Sequence, residues 1–145
     1  MIEIEYPPPN ERIILAGLQT PDLSPRLFDE DMQEMVLLCR TAGADVVEIH
    51  TQKRDRPVAS SFLGSGKLKE IRNEMKTKKC GSLVIDAELS PGQIRNIEKL
   101  INGKVIDRSQ LILDIFAQHA RTNEARIQVE LAQLRTMYPR LTHAW

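Results

Sequence analysis

Apolar residues along this chain follow two rhythms. Short apolar runs, Ile13-Ile14-Leu15-Ala16-Gly17-Leu18, Asp45-Val46-Val47-Glu48-Ile49-His50, Ser82-Leu83-Val84-Ile85-Asp86 and Lys104-Val105-Ile106, read as strands, the first as a buried parallel one. Between them, apolar residues recur every three or four positions. Met32, Met35, Val36 and Cys39 predict a helix over 29–41, with Gly43 past its end and Asp29, Glu30 and Asp31 at the positive end of its dipole. Leu68, Ile71 and Met75 predict a second helix over 67–78. Ile94, Ile97 and Ile101 predict a third, opened by a Ser90 cap and Pro91 and ended by Gly103. Strands alternating with helices imply an α/β domain with right-handed crossovers. The expectation is a four-stranded parallel sheet in order 2-1-3-4, flanked by helices. Pro7-Pro8-Pro9 makes the start extended, and Pro21 and Pro25 hold a loop open.

The pattern changes after residue 106. Asp107, three residues before Gln110, resembles a capping box. Leu111, Ile112, Ile115 and Phe116 then form a block apolar enough for burial on most sides. From Ala125 onward, Ile127, Leu131, Leu134, Tyr138 and Leu141 recur at steps of four and three, the seam of an antiparallel hairpin or coiled coil. Residues 1–106 are therefore expected as the α/β domain and 107–145 as a helical subdomain with a long amphipathic C-terminal helix. A break near Arg121–Asn123 is expected because Thr and Asn prefer caps, with a continuous helix as the alternative. A bare seam is adhesive, so Ile127, Leu131, Leu134 and Tyr138 form a candidate interface, for a returning helix or for a second copy in a homodimer.

Composition adds little until it is resolved along the chain. Lys plus Arg equal Asp plus Glu at 20 each, and aromatics are only 4%, so aliphatic residues must fill the core. Residues 1–50 hold 3 basic and 10 acidic side chains, whereas residues 51–79 hold 9 and 3, a local net charge of +6. Such a segment is either an electrostatic footprint for nucleic acid or a solvated face. Cys39 and Cys80 show no zinc or CxxC spacing and read as reduced thiols. With neither a signal peptide nor a membrane-length apolar run, the expectation is a cytoplasmic protein without membrane attachment.

Candidate chemistry is sparse. His50, His119 and His143 lack metal-ligand spacing, no nucleophile-base set is discernible, and neither catalytic nor metal-binding residues are expected. Gly64-Ser65-Gly66-Lys67 precedes a helix and is either an anion- or nucleotide-binding turn or a plain flexible helix start. It is not a P-loop: Ser61 stands where a Walker motif needs glycine, and Leu68 where it needs Ser or Thr. The segment 52–66 is long for a strand-to-helix link and is basic. Lys53, Arg54, Arg56, Lys67, Lys69 and Arg72 are brought near each other by the loop and the helix start, and suit phosphate oxygens. With few aromatics they would bind RNA by backbone and shape; Phe62 either stacks on a base or packs on the sheet.

Several strings resemble one family. Thr51-Gln52-Lys53-Arg54-Asp55-Arg56-Pro57, Gly64-Ser65-Gly66-Lys67, Leu89-Ser90-Pro91-Gly92-Gln93, the run Asp107 to Gln118, Ala120-Arg121-Thr122, Gln128 to Leu134 and Pro139-Arg140-Leu141 are similar, in order, to the HflX family of ribosome-associated GTPases. The resemblance covers about Arg12 to Trp145. It implies the family's N-terminal domain, with a Gly-rich linker and a GTPase domain using GTP and magnesium downstream. It further implies binding to the large ribosomal subunit and its rRNA, and a role in ribosome splitting, rescue or biogenesis. The chain itself is expected to be no enzyme and to carry no cofactor, with ATP or GTP at an accessory purine-nucleotide site and a protein-interaction module as the alternatives.

Overall fold

A computed structural model describes residues 10–119 and 127–136. Four strands, β1 (Arg12–Gln19), β2 (Asp45–Lys53), β3 (Ser82–Ile85) and β4 (Lys104–Asp107), alternate with helices α1 (Pro25–Thr41), α2 (Ser65–Thr77) and α3 (Pro91–Ile101). All three strand pairings are parallel, in the expected order β2-β1-β3-β4. Helix α4 (Arg108–His119) follows β4 directly, and residues 127–136 form a further helical segment.

The sheet separates two apolar layers. On one face Ile14, Ala16, Leu83 and Ile85 pack against Leu68, Ile71, Met75, Ile94 and Ile97 of α2 and α3. On the other, Ile13, Leu15, Val84 and Ile106 meet Phe28, Met32, Met35 and Cys39 of α1, and Leu111 of α4. Six successive residues of β1 are buried, as a central strand covered on both faces requires.

Several boundaries differ from the sequence reading. Helix α1 begins at Pro25, not near Asp29: Ser24 accepts a hydrogen bond from the Leu27 amide at 3.2 Å, and Pro25 fills the first turn, where its missing N–H costs nothing. Asp29, Glu30 and Asp31 therefore lie beyond the first turn. Strand β2 runs on through Thr51, Gln52 and Lys53, so the basic connection shortens to residues 54–64. Helix α3 carries the full capping box of Ser90 and Gln93, and its C-cap is left-handed Asn102 (φ 53°), not Gly103.

The helical tail departs furthest. Leu111 is buried, but Phe116 is 63% exposed, so the block is not enclosed on most sides. Asp107 accepts from the Gln110 amide at 3.0 Å, yet the Gln110 side chain turns away to Asp114 at 2.8 Å instead of closing a capping box. In the segment 127–136 Ile127, Leu131 and Leu134 are exposed, as a bare seam would be, and the buried side chain is Gln133, bonded to buried Asp114 at 3.3 Å. Tyr138 and the expected break at Arg121–Asn123 lie outside the described residues.

Candidate nucleic-acid interface

The basic connection owes its shape to polar side chains that hold its backbone. At the end of β2, Gln52 accepts the Gly64 amide at 2.9 Å and thereby fixes the start of α2. A Cβ on Gly64 would fall 3.0 Å from Gln52 Nε2 and 3.2 Å from Arg54 Nη1, so a side chain there would crowd both. From α3, the amides of Gln93 and Asn96 donate to the carbonyls of Ala59 (3.2 Å) and Ser60 (3.0 Å). Within the loop, Val58 and Phe62 pair in an antiparallel bridge, with Phe62 at φ 61°, rare for a bulky residue. The Phe62 ring is half-buried against the α2–α3 core, which favours packing over stacking.

This scaffold gathers positive charge at the start of α2. Its N-cap is Gly64, which supplies no side-chain cap, and a Cβ at Gly66 would meet nothing within 4 Å. Ser65 and Gly66 are exposed at the positive end of the helix dipole. Arg54, whose Nε donates to the Arg56 carbonyl at 3.3 Å, presents its guanidinium beside this turn. Between them lies a cleft of about 620 Å³. One wall is Arg54, Ser60 and Ser65, the other Asn96 and Lys99, and Val58 and Leu100 supply apolar surface. Among the described residues no carboxylate lines it. A second cleft, of about 400 Å³, has Lys53, Arg54 and Asp55 facing Gln19, Thr20 and Ser24 at the same rim.

The sequence-selected residues do not all converge. Lys53 and Arg54 lie at the end of β2, with exposed Arg56 just beyond. Lys69 and Arg72 are exposed one turn apart on α2, with Arg72 roughly 10 Å along the helix from Ser65. Lys67, of the Gly64-Ser65-Gly66-Lys67 turn, is instead paired with Glu70 at 3.1 Å and does not line the cleft. Lys99 and Asn96, missed from the sequence, do line it. Their signal was the spacing of three in Gln93, Asn96 and Lys99, opposite the apolar face of Ile94, Ile97 and Ile101.

Polar groups elsewhere on the sheet bond within the fold. Asp107, 2% exposed, accepts from the amides of Leu89 (3.2 Å) and Gln110 (3.0 Å). Asp86 is bound by Arg108 at 3.0 Å; burial raises its carboxyl above the ordinary value, and the Arg108 charge opposes that rise. His50 is buried against Glu74, and the hydrogen bond from His50 holds the Glu74 carboxyl below its ordinary value. Among the described residues no group of three His, Cys, Asp or Glu side chains is placed to hold a metal ion, and no helix is long and apolar enough to cross a membrane. The Gly64–Lys67 turn, with Leu68 after it, does not fit magnesium and a triphosphate in the manner of a hydrolytic site.

Comparison with known proteins places this geometry. The family model for the GTP-binding GTPase N-terminal region matches residues 29–117, and that for the GTP-binding GTPase middle region matches 119–145. The chain is 44% identical over 135 residues to the GTPase HflX of Flavobacterium psychrophilum, covering 93% of this chain and 33% of that protein. It is 46% identical over 116 residues to the GTPase HflX of Escherichia coli, covering 80% and 27%. Among solved structures, a GTP-binding protein of Sulfolobus solfataricus in complex with GDP superposes with a TM-score of 0.70 at 27% identity, covering 90% of this chain and 39% of that one. The chain spans about a third of the length of the curated relatives it matches. It belongs to the HflX family of GTPases and corresponds to that family's N-terminal and middle regions.

Proposed function

We propose that this chain is the ribosome-targeting domain of an HflX-like GTPase, docking on the RNA of the large subunit in the cytoplasm through the rim at β2 and α2. The observation that carries this reading is the acid-free cleft in which Arg54 and Lys99 stand beside the uncapped start of α2. Arg54 stands at the positive end of α2 and Lys99 lines the same cleft, so an entering anion is favoured, and phosphate oxygens on a nucleic-acid backbone are such anions. Lys53, Arg56, Lys69 and Arg72 extend the positive surface on either side and suit successive phosphates, while Lys67 contributes less because Glu70 neutralises it. The few aromatics favour recognition by shape and backbone.

In the whole protein the chemistry is GTP hydrolysis with magnesium by a separate GTPase domain, which this domain orients on the ribosome for splitting, rescue or biogenesis. Residues 1–145 alone bind RNA without turning over nucleotide; GTP hydrolysis by the isolated chain above a buffer blank would contradict this. A cleft of this size also admits a single purine nucleotide, ATP or GTP, as a regulatory ligand. Calorimetry with each tests that second reading, and no heat at millimolar nucleotide removes it.

Co-sedimentation with isolated large subunits at rising salt is the deciding experiment. Bound fraction falls steeply with salt, and each lost phosphate contact lowers the log–log slope by about 0.7–0.9. Arg54→Glu and Lys99→Glu are expected to weaken binding and flatten that slope. Binding insensitive to salt and to both substitutions would overturn the RNA reading in favour of an apolar protein-interaction module.

A further inference from the structure

The positive surface of the cleft continues beyond the first turn of α2. Ser65, which lines the cleft, is followed on the same helix face by Lys69, Arg72 and Lys76 at steps of four, three and four, all of them exposed. Among the described residues none of these three cations is paired with a carboxylate. The acids of α2 are engaged instead by other groups: Glu70 by Lys67 at 3.1 Å, and Glu74 by His50 and by Lys78 at 3.4 Å. From Lys69 to Lys76 the stripe covers about 10 Å of helix axis, the length of about three phosphate steps along one strand of a duplex.

The cleft is lined for more than a phosphate. Val58 and Leu100 give it apolar surface with which a phosphate makes no favourable contact. Asn96 donates from its amide nitrogen to the Ser60 carbonyl at 3.0 Å, while its side-chain oxygen and the hydroxyls of Ser60 and Ser65 carry no hydrogen bond among the described residues. A planar base with polar edges suits this lining, and about 620 Å³ is within the range that takes a small ligand. A base inside a continuous duplex is stacked and paired, and leaving the stack costs least where it is already unpaired. Building on the RNA docking proposed above, we infer that the RNA bound at this rim carries an unpaired nucleotide. Its base enters the cleft against Val58 and Leu100, Arg54 and Lys99 hold its phosphate, and the adjoining strand runs along Lys69, Arg72 and Lys76. Hydroxyls donate or accept equally well, so the cleft selects a base for being unpaired without reading which base it is.

The test is fluorescence anisotropy of the 145-residue chain with three labelled RNAs: a blunt duplex, the same duplex with a one-nucleotide bulge, and that bulge made abasic. The two bulged RNAs carry the same phosphates, so their difference isolates the base. The bulged duplex is expected to bind about tenfold more tightly than the blunt one, and the abasic bulge to fall back toward the blunt duplex. Lys99→Ala narrows this preference, because it acts in the cleft. Lys76→Ala weakens all three RNAs alike and leaves the preference unchanged, because it acts on the stripe; circular dichroism reports the fold of both variants. Equal, salt-sensitive affinity for the three RNAs would overturn the unpaired nucleotide and leave RNA docking standing, whereas no binding to any of them would remove both. An abasic bulge that keeps the full preference would take the base out of the cleft and overturn the proposal. So would calorimetric binding of AMP that does not compete with the bulged RNA.

Discussion

Asp107→Ala is expected to be among the most damaging single polar substitutions in this domain, because one carboxylate secures two chain segments. Asp107 closes β4 with 2% of its surface exposed, and its oxygens accept from the Gln110 amide at 3.0 Å and the Leu89 amide at 3.2 Å. The first bond caps α4, a role worth about 1 kcal/mol. The second serves an amide at buried Leu89, and a buried donor stripped of a charged acceptor costs about 1–3 kcal/mol. The two lie on different segments and add, for a loss of roughly 2–4 kcal/mol. With an unfolding entropy near 0.3 kcal/mol per degree for a chain of this length, Tm falls by roughly 7–13 °C. Asp107→Asn keeps one acceptor oxygen and should recover about half of that loss. Thermal and urea unfolding of the three proteins is the assay. An alanine variant within about 0.5 kcal/mol of wild type, the range of an ordinary surface change, would refute this account of how β4, α4 and the entry to α3 are joined.

Gly17→Ala should destabilise by about 1–3 kcal/mol, since the new Cβ would lie 2.4 Å from Met32 Sδ and 3.3 Å from Phe28 Cε1, both side chains buried; urea titration checks it. Cys39, whose thiol is pushed up to about 12 by burial and then by the Asp86 charge, should resist thiol-specific reagent at pH 8 until the protein unfolds, while half-buried Cys80 reacts first. The Glu74 carboxyl is held low by His50, so it contributes stability above the ordinary carboxylate range that is lost as pH falls through its depressed native value. Glu74→Gln should therefore flatten the acid limb of a stability-against-pH curve and leave less to lose on acidification. An unchanged limb would show that the His50 contact does not persist in solution.

Regular alternation made the sheet legible. Each strand is an apolar run and each helix a three-four stripe, and right-handed crossovers leave little freedom in ordering four parallel strands. Misread boundaries share a cause, in that a local signal had two uses. Ser24-Pro25 is the same cap-and-proline pair as Ser90-Pro91, but Pro21 upstream made it look like open loop. Thr51-Gln52-Lys53 is polar, yet an edge strand with an exposed face needs no apolar alternation to stay a strand. Half of the candidate site was legible as charge, because Lys53, Arg54 and Arg56 are close in sequence. Its other half, Asn96 and Lys99, lies more than thirty residues away and joins only because Gln93 and Asn96 hold the loop carbonyls of Ala59 and Ser60 against α3. No composition window reports a contact of that span.

In the helical tail the apolar spacing finds the bare stripe but not the polar side chain that faces inward. Ile127, Leu131 and Leu134 keep the spacing of a buried seam and remain exposed, whereas Gln133, polar and one position off that seam, is buried at 5% exposure. The reason lies on α4. Asp114 is 1% exposed, and a buried carboxylate must be met by donors, two of which are the side-chain amides of Gln110 at 2.8 Å and Gln133 at 3.3 Å. The face that answers this demand is set inward, and the apolar stripe is turned away from the domain as a consequence. Polar pairing between Gln133 and Asp114 thus decides which way the hydrophobic side of residues 127–136 looks.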